Sequence, residues 1–158
     1  MKIHENPIIA IDPGSTESAF IIFTPEKILE FRKVSNESLI RQFIHFHFDF
    51  HNPSIGIEMV ACYGMPVGRE IFDTVFWIGR FFQEWYNLSS TLPLLIYRKE
   101  IKTYLCGTTK AKDSNIRQAL IDKYGAPGTK KNPGFTYGIS KDIWSALAIA
   151  TYMNEVLL

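Results

Sequence analysis

The chain is poor in cysteine, with only Cys62 and Cys106 in 158 residues. Neither has the close spacing of a zinc-ligand pair, and two isolated thiols build no disulfide framework. A zinc ribbon and a disulfide-stapled scaffold are therefore excluded. Long hydrophobic runs are missing too: no stretch approaches the ~20 apolar residues of a membrane helix. The opening MKIHENP lacks the charged-then-apolar pattern of a signal peptide. The expectation is a cytoplasmic protein with no membrane partner. Nothing suggests a Ser-His-Asp arrangement. Internal repeats and low-complexity segments are absent, so the chain reads as a single domain over 1–158, long enough for a sizeable core.

What is present is apolar and aromatic. Apolar residues make up 46% and aromatic ones 14%, including twelve Phe, which supplies a core and suggests an additional apolar surface for self-association. The net charge of +1 hides an asymmetry. Residues 98–131 hold nine Lys/Arg against three Asp/Glu, so +6, which leaves −5 for the rest. One basic segment on a near-neutral protein implies an electropositive face.

The periodicity gives an element order. PIIAID reads as a buried strand, DPGS as a turn with Gly14 at positive φ, and SAFIIFT and KILEFRKV as two further strands in an antiparallel meander. SNESLIRQFIHFHFDF changes period to a helix capped by Ser35 or Asn36, with Leu39, Ile40, Phe43, Ile44 and His47 at helical spacing. SIGIEM is a fourth strand. GREIFDTVFWIGRFFQEWYNL is a long helix, and PLLIY a fifth strand. A basic helical pair follows over about 98–106 and 112–124, then a Gly/Pro/Lys loop. SKDIWSALAIATYMNEV closes the chain as a helix capped by Ser140. Three antiparallel strands followed by strands alternating with helices imply an α/β fold with a mixed five-stranded sheet flanked by helices.

IIAID and IGIE share a form, an apolar run that stops at an acid. If these strands are parallel neighbours, Asp12 and Glu58 sit side by side at a switch-point crevice. Two carboxylates there repel one another, and a divalent cation removes the repulsion. Oxygen ligands without Cys or His spacing favour Mg²⁺, with Mn²⁺ as substitute. Asp142, at the start of the last helix, is a third candidate. His47 and His51 lie four apart, but His45, His47 and His51 share no helix face, and a metal role for them is not expected.

IIAIDPGSTESAF, IGIEMV, KEIKTYLCGTTKAKDSNIRQAL and KDIWSALAIA together resemble the RuvC-like Holliday junction resolvases of the ribonuclease H-like superfamily, most closely a compact phage-type member. The resemblance spans nearly the whole chain, with motifs in the expected order. It implies a ribonuclease H-like fold and a homodimeric, Mg²⁺-dependent, structure-selective endonuclease. Such an enzyme resolves four-way DNA junctions by paired phosphodiester hydrolysis, in a bacterial cell or phage-infected host. The family's catalytic and metal-binding acids fall on Asp12, Glu58 and Asp142. Its fourth acid, one helical turn after Asp142, falls on Ser145, which shares that face without charge. Such chemistry is metal-assisted and needs no side-chain nucleophile.

Lys110, Lys112, Arg117, Lys130 and Lys131 are candidates for phosphate contacts, and Lys141 for neutralising phosphate beside Asp142. Asp113 stands where the family commonly has lysine. In the MPVGRE loop region Tyr63, Met65 and Arg69 are candidates for contact with strained bases. Phe72, Val75, Phe76, Gly79, Phe82 and Trp85 form a wide stripe. One face of that helix, 70–86, covers the sheet and the remainder meets a twin helix in a two-fold dimer. Three other readings stay open: a related nuclease acting on other branched DNA or RNA–DNA hybrids, a non-catalytic junction-binding protein, and an actin-like ATPase. The last needs a second domain for which this chain has no length.

Overall fold

The computed structural model describes residues 6–158. Residues 1–5, on which the signal-peptide reading largely rests, lie outside them. Five strands, β1 (Ile8–Asp12), β2 (Glu17–Phe23), β3 (Ile28–Ser35), β4 (Ser54–Met59) and β5 (Leu94–Tyr97), form one sheet in the order β3-β2-β1-β4-β5. The first three pair antiparallel, while β1, β4 and β5 run parallel. Helices α1 (Asn36–Asp49), α2 (Arg69–Ser89), α3 (Arg98–Cys106), α4 (Asp113–Tyr124) and α5 (Ile143–Tyr152) flank it. The expected mixed sheet is therefore observed. Among the described residues no helix is long and apolar enough to cross a membrane.

Strand pleat divides the core in two. Ile9 and Ile11 pack with Phe20, Phe43, Trp77 and Phe81 under α1 and α2. Ile8 and Ala10 pack with Ile21, Ile96 and Leu147 under α3 to α5. This is the period-2 alternation of a strand covered on both faces. Ala146, Ala148 and Ala150 keep α5 close to the sheet, and this helix is buried almost all round. Gly56 gives the same close approach on β4, where a Cβ would meet Met153 Sδ at 2.2 Å.

Several local expectations are corrected. Gly14 does not take a positive φ. It is small because a Cβ would meet the Glu17 carbonyl at 2.3 Å. The turn is held by buried Asn36, whose amide donates to the Gly14 carbonyl (2.9 Å) and accepts from the Ser18 hydroxyl (2.6 Å). Ser35 is the cap of α1, accepting from the Ser38 amide. Ile44 lies outside the core at 47% exposed, and Phe46 is buried in its stead. Ser140 does not cap the last helix. Lys141 takes a left-handed φ of 47°, so α5 starts at Ile143 with Asp142 as its N-cap residue. The last helix is not one continuous α-helix either: its end widens into a π-helical turn, Met153–Leu157, anchored by buried Met153.

Candidate active site

Strand pleat and register build the site. Ala10 lies opposite Gly56 and Ile11 opposite Ile57, so Asp12 is flanked by Glu58 on β4. On its other side Asp12 pairs with Ala19, which pairs with Lys33. All four side chains share the α5 face, by the same alternation that puts Ala10 and Ile21 there. Ile96 on β5 also faces α5, and Arg98, two residues on, continues its parity as the first residue of α3. The result is a row across the carboxyl edge of the sheet, Lys33–Ala19–Asp12–Glu58–Arg98. The start of α5 lowers Asp142 onto this row.

The outer acids each have a cation. Lys33 Nζ lies 2.6 Å from Asp142 Oδ2, and Arg98 lies 3.2 Å from Glu58 Oε2 and also binds Asp113. Asp12 is largely shielded from water, and among the described residues no side chain hydrogen-bonds to it. Burial first, then the charges of Glu58 and Asp142, push its pKa up from 3.8 to about 8 against the weaker pull of Arg98 and Lys33. Burial also raises the Glu58 carboxyl, opposed by Arg98. The hydrogen bond to Asp142 raises the Lys33 ammonium.

This is a centre short of positive charge. Its donors are carboxylate oxygens with no thiolate or imidazole, a set that suits a hard divalent cation. Glu58 and Asp142 are turned onto Arg98 and Lys33, so among the described residues no three acids are closed around one point.

Three clefts open around the row. Tyr63, Arg98, Lys99 and Lys102 line the first with Glu58. Arg98, Asp113, Ser114, Arg117, Lys141, Asp142, Trp144 and Ser145 line the second. Lys33, Asp142, Glu17, Glu70 and the turn after Asp12 line the third, which is acidic. The structure thus brings Asp12, Glu58, Asp142, Ser145, Tyr63, Arg117 and Lys141 together around one edge. Lys110, Lys112, Lys130 and Lys131 are exposed and border none of these clefts. Arg69 is 93% exposed and reaches Asp73 instead. Met65 is exposed in the loop before α2. His47 packs against Phe48 and Trp85, and His51 is exposed.

Sequence reasoning missed Lys33, Arg98, Lys99 and Lys102. A signal existed for Arg98, because PLLIY ends beside the other parallel strands and the next residue must lie at the same edge. Lys33 carried no such mark, since its role depends on the β2–β3 register.

The stripe on α2 splits. Trp85 belongs to the core with Thr74, Trp77, Ile78 and Phe81. Phe72 and Phe76 are each 64% exposed, with Val75 at 37%, and Gly79 lies among them on the outer side.

No family model matches this chain, and no curated protein sequence matches it. Two solved structures from Thermus thermophilus are similar to it. One is a RuvC structure, with a TM-score of 0.67 and 16% identity over 91% of this chain and 90% of that one. The other is RuvC in complex with a Holliday junction substrate, with a TM-score of 0.68 and 15% identity over 92% and 91%. The chain has the fold of these two RuvC structures.

Proposed function

We propose that the chain is a divalent-metal-dependent endonuclease of one domain, 1–158, acting as a homodimer that resolves four-way DNA junctions by paired phosphodiester hydrolysis. The observation that carries this reading is Asp12, a carboxyl pushed up to about 8 by burial and two neighbouring acids, at an edge that also bears two clefts rich in Lys and Arg. Asp12, Glu58 and Asp142 would hold Mg²⁺ or Mn²⁺, with Ser145 offering a hydroxyl one turn beyond Asp142, and the ion would supply Lewis-acid stabilisation and an activated water.

The chain's own residues do the rest. Asp12 is fixed by β1, so the centre of the site does not depend on a loop. Arg98 and Lys33 hold the outer acids apart while the site carries no cation. Lys99 and Lys102 give the first cleft the charge that attracts a phosphate backbone, and Tyr63 there supplies a face for stacking. Arg117 and Lys141 do the same for the second cleft. Lys110, Lys112, Lys130, Lys131 and Arg69 extend the basic surface outward. Two such surfaces on a two-fold dimer match the symmetry of a four-way junction, and the exposed Phe72–Phe76 face of α2 supports pairing through that helix. The similarity to RuvC bound to a Holliday junction substrate supports branched DNA as the ligand class.

The test is cleavage of a synthetic four-way junction in Mg²⁺ and in Mn²⁺, with linear duplex and an RNA–DNA hybrid as controls and Asp12→Asn alongside. Paired, symmetric nicks on the junction alone, absent in the variant, are expected. Cleavage confined to the hybrid would reassign the substrate. Tight junction binding without cleavage in either metal would make Ser145 the mark of a binding protein.

A further inference from the structure

Of the side chains around the site, Arg98 is the one that borders both the first and the second cleft. Its guanidinium reaches two acids unequally. Toward Glu58 the separations are 3.4 and 3.2 Å, longer than the ~2.7–2.9 Å of a charge-assisted bond. The bond to Asp113 is the closer one, and Asp113, 82% exposed, reaches it from the first turn of α4. Arg98 is thus shared between Glu58 on the carboxylate row and exposed Asp113 on the side away from it.

The second cleft, of about 390 Å³, adds two more cations, Arg117 and Lys141, and the hydroxyls of Ser114 and Ser145. Trp144 lines it as well. Its buried indole N–H has no partner among the described residues, and the Arg117 guanidinium lies 5.1 Å from its ring centroid. The two acids of this cleft are already occupied, Asp113 by Arg98 and Asp142 by Lys33. The chemistry of the cleft suits a phosphate.

We propose that Arg98 is a displaceable cation that neutralises Glu58 in the free protein and passes to a DNA backbone phosphate in the second cleft when Glu58 takes up a divalent ion, with Asp113 as its positioning residue. The inference rests on the nuclease reading above. A guanidinium on Glu58 competes with a divalent ion for the same negative charge and is repelled by that ion, and the guanidinium fork matches phosphate oxygens as well as carboxylate.

Two measurements test it. The first is Mn²⁺ binding to the DNA-free protein by calorimetry. Arg98→Gln is expected to bind about tenfold more tightly, since a competing charge at ion-pair distance is equivalent to at least about one pK unit. Asp113→Asn is expected to bind more weakly, because Arg98 is left with Glu58 alone. A purely structural arginine would loosen both variants. The second is the salt dependence of four-way junction affinity in EDTA and in Ca²⁺. For the unmutated protein the log–log slope should steepen by about 0.7–0.9 in Ca²⁺, the increment for one further phosphate neutralised, and for Arg98→Gln it should not. Equal or weaker Mn²⁺ binding by Arg98→Gln, or the same steepening in both proteins, overturns the proposal. If the unmutated protein binds no junction, the nuclease reading fails, and the Mn²⁺ measurement still decides whether Arg98 guards Glu58.

Discussion

The carboxyl edge of the sheet and the outer face of α2 both break the rules the rest of the chain obeys, in opposite ways. At the edge, Asp12 is withdrawn from water between two other acids, and its pKa rises to about 8. On α2, Phe72 and Phe76 are left in water at 64% exposed, with Ile71 and Val75 beside them. The first defect is electrostatic. It varies with pH, and one divalent ion cancels it. The second scales with apolar area, ignores pH, and is cancelled only by another apolar surface. A local violation in an otherwise consistent fold marks where the protein meets something else, and the kind of violation names the kind of partner.

The largest expected effect breaks the electrostatic side outright. Asp12→Asn should lower junction cleavage by on the order of a thousandfold or more, read as initial rates in Mg²⁺. Cleavage within a few fold of the unmutated chain would remove Asp12 from the chemistry.

The same variant should be more stable than its parent without metal. The folded-state pKa of Asp12 lies above its unfolded value of 3.8, so between about pH 4 and 8 the folded chain keeps a proton that the unfolded chain has released. Stability of the cation-free protein therefore falls as pH rises through that window, by at most ~1.4 kcal/mol per pH unit. Thermal melts in EDTA from pH 4 to 9 should show this fall, and Asp12→Asn should flatten it. Adding Mg²⁺ at pH 8 to about a hundred times its dissociation constant should restore ~2.7 kcal/mol to the parent and little to the variant. A melting temperature independent of pH would leave the edge without its defect.

The apolar side is sharpened within one helix. Changing Phe81, fully buried on the core-facing side of α2, to Ala should cost ~3–5 kcal/mol of stability. Phe72→Ser and Phe76→Ser should each change the stability of the protomer by within ~0.5 kcal/mol yet shift the sedimentation coefficient from dimer to monomer. A chain that sediments as a monomer before mutation would leave this face without the twin proposed for it.

The smallest effect concerns charge remote from both regions. Changing Lys130 and Lys131 to Ala should weaken junction binding uniformly across sequences and lower the salt slope by about 0.7–0.9 for each phosphate that is no longer neutralised. An unchanged slope would make them solvated loop charges.

Much of this was readable along the chain. Two apolar runs that each stop at an acid marked Asp12 and Glu58 because a parallel strand buried on both faces must be apolar until it emerges. Asp142 was marked by its place at the start of the last helix, and the resemblance gave the three acids one shared role. Local geometry was less legible. The turn at Gly14 is set by a carbonyl approaching from Glu17, and the entry to α5 by a left-handed Lys141 in place of a capping Ser140, and neither leaves a distinct local pattern. The partition of α2 was half visible: the stripe showed two faces, but which rings met the sheet depended on where the helix lands.

The sequence by itself determined the element order, the mixed sheet and the carboxylates at its edge, because hydrophobic period and strand termini are properties of short segments. Only the tertiary structure decided which cations answer those acids. Lys33 and Arg98 come from opposite edges of the sheet, and they reach Asp142 and Glu58 through strand register and the descent of α5. Whether a carboxylate at the end of a buried strand is neutralised within the chain or left for an ion depends on distances between segments remote in sequence, and only the folded chain sets those distances.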